Sequence, residues 1–271
     1  MSFLLGPLQY PFMRMGLAAA ALAGLVCGLL GVYVVLRRVA FVGHAMTHGS
    51  LPGLVWAQSR GMSLFGGAVL ANLVTAFGIG WISRREDTSE DTAIGILSSV
   101  MLAAGLVMAS HGRSFRDLTG LLFGQVLGVT GNDLAWMGGA AAVVAAALFL
   151  FHKEWMLATL DPGHARLIGL PVGLLRTGYL ILLVLGVSSA VRTVGAVLTG
   201  ALLVAPAAAA RLLCRRLPAM MAVSVLISVA GGVGGLYLSY YAGWPSGASI
   251  ALLCAAAYGL ARLATSGKAG R

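Results

Sequence analysis

The chain alternates long apolar runs with short polar joints. Apolar stretches of about 17–25 residues can cross a bilayer as helices. They fall at about 13–36, 42–58, 62–82, 91–110, 132–151, 176–191, 195–214, 219–241 and 246–264. Two depart from the pattern. The 42–58 run holds His44, His48, Pro52 and Gly53, which predicts a broken or tilted helix. The 176–191 run is short, and Ser188, Ser189 and Arg192 interrupt it. The expectation is an all-α, polytopic transmembrane helical bundle of eight to nine spans. It forms a single domain over 1–271, with the count open around 176–195. Only Arg14 precedes the first run, which continues to Arg37 and Arg38. That length predicts a retained membrane helix rather than a cleaved signal.

Composition supports the membrane reading. Hydrophobic residues make up 59% of the chain and charged residues 10%, against about 25% charged in soluble domains. A soluble chain of this size could not bury so much apolar surface in one core. The net charge is +10, but the basic residues sit at the ends of apolar runs instead of forming a patch. That placement fits anionic lipid and the positive-inside rule, not nucleic acid. In a nine-span chain with the N-terminus outside, only Arg14, Arg60, Arg113, Arg116 and Arg192 of the 18 basic residues lie outside. Tyr237, Tyr240, Tyr241 and Trp244 then form an outer aromatic belt. Cys27, Cys214 and Cys254 have no metal or disulfide spacing. Gly24 with Gly28, Gly120 with Gly124 and Gly128, and Gly231 with Gly235 have the spacing of close helix packing, within the chain or in a dimer.

The polar residues suggest the chemistry. His44 and His48 are four apart, so a helix places them on one face. Ionisable groups inside an apolar segment commonly line a pathway, and neutral imidazole suits zinc and other late divalent metals. Two donors are fewer than the four zinc usually takes. The other reading is a pair of interfacial histidines bonded to backbone carbonyls near Arg37 and Arg38. Glu86, Asp87, Glu90 and Asp91 form an acidic run that reads as a solvated joint leading into a helix. His111, His152 and His164 read as loop residues. The inner joint at about 152–175 is the longest. Asp161 and Pro162 can cap and start a short helix there, and Gly169 and Pro171 can end it. Pro206 predicts a kink that either hinges a gate or is simply tolerated. No phosphate-binding GxxxxGK[ST] loop, HExxH or GxSxG occurs, so any ATP is bound by another chain.

Taken in order, these segments resemble the permease subunit of ATP-binding-cassette (ABC) importers for zinc, manganese and iron, over about residues 13 to 264. Arg37-Arg38, Gly43-His44-Ala45-Met46-Thr47-His48 and Leu51-Pro52-Gly53 match the first signature of that family. Glu90-Asp91-Thr92-Ala93-Ile94-Gly95 matches the second, and Leu122-Phe123-Gly124 with Leu127-Gly128 follows. Asp161-Pro162, Ala165 and Gly169-Leu170-Pro171 resemble the loop that docks the ATPase. Val194-Gly195 through Ala201-Leu202-Leu203-Val204-Ala205-Pro206-Ala207, and Pro245-Ser246-Gly247-Ala248, resemble the late signatures.

The resemblance implies a homodimeric permease in a prokaryotic cytoplasmic membrane, with no cofactor held permanently. It implies two ATPase subunits that bind ATP, and an extracytoplasmic metal-binding protein. It places metal contacts at His44 and His48, and ATPase docking at Asp161, Pro162, Ala165 and Gly169. It leaves gating or packing to Pro52, Gly53, Gly195 and Pro206. The family usually carries Asp at the position of His44. A neutral imidazole there moves the preference from manganese toward zinc. Zinc is therefore the first expectation, with manganese, iron or an iron chelate as the alternative. A proton-coupled secondary carrier, with the histidines relaying protons, is the reading from a different class.

Overall fold

The computed structural model describes residues 6–83, 89–111 and 128–266, and every regular element among them is helical. The elements are α1 (Pro11–Leu36), α2 (Ala40–Ser59), α3 (Leu64–Ile82), α4 (Glu90–His111), α5 (Gly131–Leu150), α6 (His152–Leu160), α7 (Pro162–Leu167), α8 (Val172–Val194), α9 (Ala196–Leu213), α10 (Leu217–Ala242) and α11 (Ser246–Ser266). Among the described residues, nine long helices stand where nine apolar stretches were expected. Seven of them, all but α2 and α9, are long and apolar enough to cross a membrane. The polar side chains of α2 lower its hydropathy. The apolar stretch within α9 is the shorter Thr199–Leu213.

The helix ends follow local chemistry. Pro11 occupies the first turn of α1, where its missing N–H costs nothing. Ser63 caps α3 by accepting from Gly66 N at 3.2 Å. The Ser89 hydroxyl does the same for Thr92 N in α4, with Glu90 and Asp91 in the favourable first turn. Thr130 and Asp133 form a capping box at α5. Helix α10 ends at Gly243, in the left-handed region at φ 68°.

Two expectations are corrected. Helix α2 is unbroken through Pro52. Helix α8 begins at Val172 and runs through Ser188 and Ser189. Both hydroxyls are satisfied: Ser188 Oγ accepts from Asn72 Nδ2 at 2.9 Å, and Ser189 donates to Gly186 O at 2.7 Å. A serine bonded to its own helix or to a neighbour does not interrupt a membrane helix.

Helix α1 lies at the centre, packed against α10, α9, α8 and α5. Gly24 and Gly28 let the α10 backbone approach directly: a methyl on Gly28 would stand 2.7 Å from Val225 Cα. The Ser224 hydroxyl then donates to Gly28 O at 2.8 Å. Gly231 and Gly235 likewise face Cys254 and Ile250 of α11. Both pairs pack within the chain and are not free to build a dimer. Gly120 and Gly124 lie outside the described residues, as do Leu122, Phe123 and the acidic pair Glu86 and Asp87. The cysteines are free, and Cys27 and Cys254 are buried.

Replacing Gly28 with Ala should cost about 1–3 kcal/mol by overpacking a backbone contact. Gly139→Ala, where an added methyl meets nothing within 4 Å, should be close to neutral. Thermal unfolding of the two variants in detergent provides the comparison.

Candidate functional site

The histidine pair sits in the first half of α2. Gly43 abuts Leu203 of α9, Gly49 abuts Asn72 and Thr75 of α3, and Gly53 abuts Gly67 of α3. These contacts fix the rotation of α2. His44 remains exposed and His48 half-buried. Their ring centroids are 4.6 Å apart, edge to face. His44 Nδ1 faces Gly200 of α9, where a methyl would stand 3.2 Å away. His48 Nδ1 is buried and makes no hydrogen bond. The expected helical juxtaposition is therefore present, and the alternative reading, rings bonded to backbone carbonyls, does not hold for His48 Nδ1. The intervening Thr47 and the nearby Ser50 donate to the carbonyls of His44 and Thr47, each at 2.7 Å, and so stabilise their own helix.

Among the described residues no group of three or more His, Cys, Asp and Glu side chains comes together. The pair offers two nitrogen donors and no carboxylate. It can contact a cation without enclosing it, and a fuller shell needs donors from water or another chain.

The remaining gating or packing candidates separate from one another. Gly53 is a contact point between α2 and α3, and Pro52 lies inside α2. Gly195 joins α8 to α9 at φ 93°, a conformation that favours glycine. Pro206 lies inside α9, which continues to Leu213.

The 152–175 joint contains two short helices where one was expected. The Asp161 carboxylate accepts from His164 N at 2.9 Å, with Pro162 in the first turn of α7. Ala165 is fully buried. Gly169, at φ 81°, turns the chain out, and Leu170 N returns to Ala165 O at 3.0 Å. Leu167 and Ile168 point outward, the former 86% exposed. Helix α6 was not foreseen because its nine residues are too few for an apolar period. It ties the joint to the bundle. Trp155 Nε1 donates to Leu175 O at 3.0 Å, and Arg37 Nε donates to Thr159 Oγ1 at 3.1 Å. The Arg37 guanidinium lies 4.5 Å above the Tyr179 ring, and the Tyr179 hydroxyl donates to Leu30 O at 2.8 Å. Burial lowers the pKa of Arg37. Arg176 pairs with Glu90 at 2.6 Å. The joint, the C-terminal end of α1 and the start of α8 are thus one connected unit.

The end opposite to these arginines carries aromatic residues. Tyr10 lies 6.5 Å from Tyr240, and Tyr240, Tyr241 and Trp244 are each more than 40% exposed. Phe65 stacks on Trp136. Aromatic residues gathered near helix ends are the arrangement of a polytopic membrane protein.

Comparison with known proteins agrees with this class. The ABC 3 transport family matches residues 9–265, so the chain belongs to that family. It is 38% identical over 255 residues to the manganese transport system membrane protein MntC of Halalkalibacterium halodurans, covering 94% of this chain and 87% of that protein. It is 36% identical over 250 residues to the chelated iron transport system membrane protein YfeD of Yersinia pestis, covering 91% and 83%. Its structure resembles PsaBC from Streptococcus pneumoniae with a TM-score of 0.88 and 31% identity, covering 96% and 94%.

Removing the α7 cap by Asp161→Ala should cost about 1 kcal/mol of local helix stability. Amide exchange at His164 should then quicken roughly fivefold, as hydrogen–deuterium exchange would read.

Proposed function

We propose that this chain is the permease of an ABC importer that moves a divalent first-row transition-metal ion inward across a prokaryotic cytoplasmic membrane. The observation that carries the reading is the histidine pair, with one buried unbonded ring nitrogen, inside a family of ABC transport proteins. The ion is substrate, not a resident cofactor. A transport site has to release its ion, so an incomplete shell suits it. His44 and His48 of each of two permease copies act as a transient contact for the ion after an extracytoplasmic binding protein delivers it.

ATP is bound by two partner ATPase subunits on the cytoplasmic side. They dock on α7, where Leu167 and Ile168 are exposed, and Asp161, Pro162, Ala165 and Gly169 keep that helix in shape. Motion of α7 reaches the bundle through Thr159–Arg37 and Trp155–Leu175. Gly195 and the two helix-interior prolines are places where the bundle can bend.

Two observations pull the choice of metal in different directions. A pair of imidazoles with no carboxylate beside it among the described residues favours zinc over manganese. Relatives at 36–38% identity are named for manganese and for chelated iron, and that favours manganese or iron as the cargo. A competition panel of zinc, manganese and ferrous ions in vesicle uptake decides: the true cargo suppresses labelled uptake at the lowest concentration. His44→Ala and His48→Ala should each reduce that uptake at least tenfold at matched protein levels. Wild-type rates in both variants would remove the pair from the pathway. Asp161→Lys should reduce co-purification of the ATPase while leaving membrane insertion intact. Uptake that follows a proton gradient without ATP would favour the secondary-carrier reading.

A further inference from the structure

The arginine-rich inner end contains an open cleft of about 330 Å³, within the volume range of ligand clefts. Arg37, Arg38, Arg166 and Arg176 line it, and Glu90 is the one carboxylate among its described lining residues. Glu90 is taken by Arg176 and Arg37 is held by Thr159. Among the described residues, Arg38 and Arg166 have no carboxylate partner and supply the cleft's positive charge. Leu36, Val39, Val42, Leu180 and Leu183 form an apolar wall beside them. Four guanidinium groups against one carboxylate make the described lining unfavourable to a cation.

Arg38 supplies a second, independent observation. It is the only non-glycine residue with positive φ among the described residues, at φ 60°. An L-residue in the left-handed region is strained relative to glycine. The turn between α1 and α2 therefore gives up backbone ease to place a guanidinium in the cleft. Arginine also matches phosphate oxygens with a planar fork of donors.

We propose that this cleft binds a phosphate group, with Arg38 and Arg166 as its main donors, presented by an acidic phospholipid headgroup or by free phosphate. The apolar wall favours the lipid, and basic pockets at the cytoplasmic ends of membrane helices commonly hold such headgroups. Protein docking has a different surface available: α7 turns Leu167 and Ile168 outward and presents Arg166 to the cleft.

The test uses the purified full chain in neutral detergent at low salt. Phosphatidylglycerol, phosphatidylcholine and inorganic phosphate are titrated separately, and thermal unfolding and native mass spectrometry are read. Phosphatidylglycerol at a hundredfold excess over its Kd should raise the midpoint by about 5 °C, while phosphatidylcholine should not. R38G and R166A should lose that shift. Without ligand, R38G should melt no lower than wild type, because glycine takes φ 60° freely. E90Q should bind several-fold more tightly. The same pattern with inorganic phosphate would support the site and make the free ion its source. Three results would overturn the proposal: equal shifts from both lipids, shifts that persist in R38G and R166A, or variants that respond normally and lose only the ATPase.

Discussion

Close backbone contact around α1 is the constraint on which the rest depends. In lipid, helices gain little from hiding apolar side chains, because the tails are equally apolar. Association rests on packing and on hydrogen bonds between helices. Gly24 and Gly28 bring the α10 backbone to van der Waals distance, and Ser224 bonds across the gap. Gly31 admits the Leu203 carbonyl of α9 in the same way. With α1 held on these faces, α8 meets it through the Tyr179 hydroxyl at Leu30 O. The arginine cleft lies where α1, α7 and α8 meet, while the histidines take their place from the contacts of α2 with α3 and α9.

The histidine pair and the arginine cluster have opposite chemistry. At the histidine pair no carboxylate stands alongside among the described residues, and with the nearby hydroxyls bonded within their own helix His48 Nδ1 keeps no hydrogen-bond partner. Around the C-terminal end of α1, charge is concentrated. The Arg37 guanidinium is fixed between Thr159 and the Tyr179 ring, and Arg176 holds Glu90. These contacts join α6 and α7 mechanically to α1 and α8, so a force on the joint is transmitted to the bundle instead of being absorbed by a loose loop.

Much of the fold could be read from residue order. Hydropathy located every long helix, because in lipid each backbone polar group must be satisfied within a helix. The Asp161-Pro162 start and the Gly169 exit of α7 also came from local chemistry, and the structure places the cap hydrogen bond there. The histidine spacing likewise set the helical juxtaposition in advance. The exceptions are instructive. Pro52 and the serine pair at 188–189 suggested breaks, yet both helices run through them. For the serines, the partners that make this tolerable come from Asn72 on α3 and from a carbonyl one turn back.

The sequence by itself determined the class of protein, the places of the long helices and the pairing of His44 with His48, because these rest on hydropathy and on contacts within one helix. Tertiary structure alone decided the rest. It placed Gly200 beside His44, turned the Gly24–Gly28 and Gly231–Gly235 pairs inward, and gathered Arg37, Arg38, Arg166 and Arg176 around one cleft. Those residues are scattered along the chain, and no local period links them. Their meeting depends on how α1, α7 and α8 pack, which is a property of the assembled bundle.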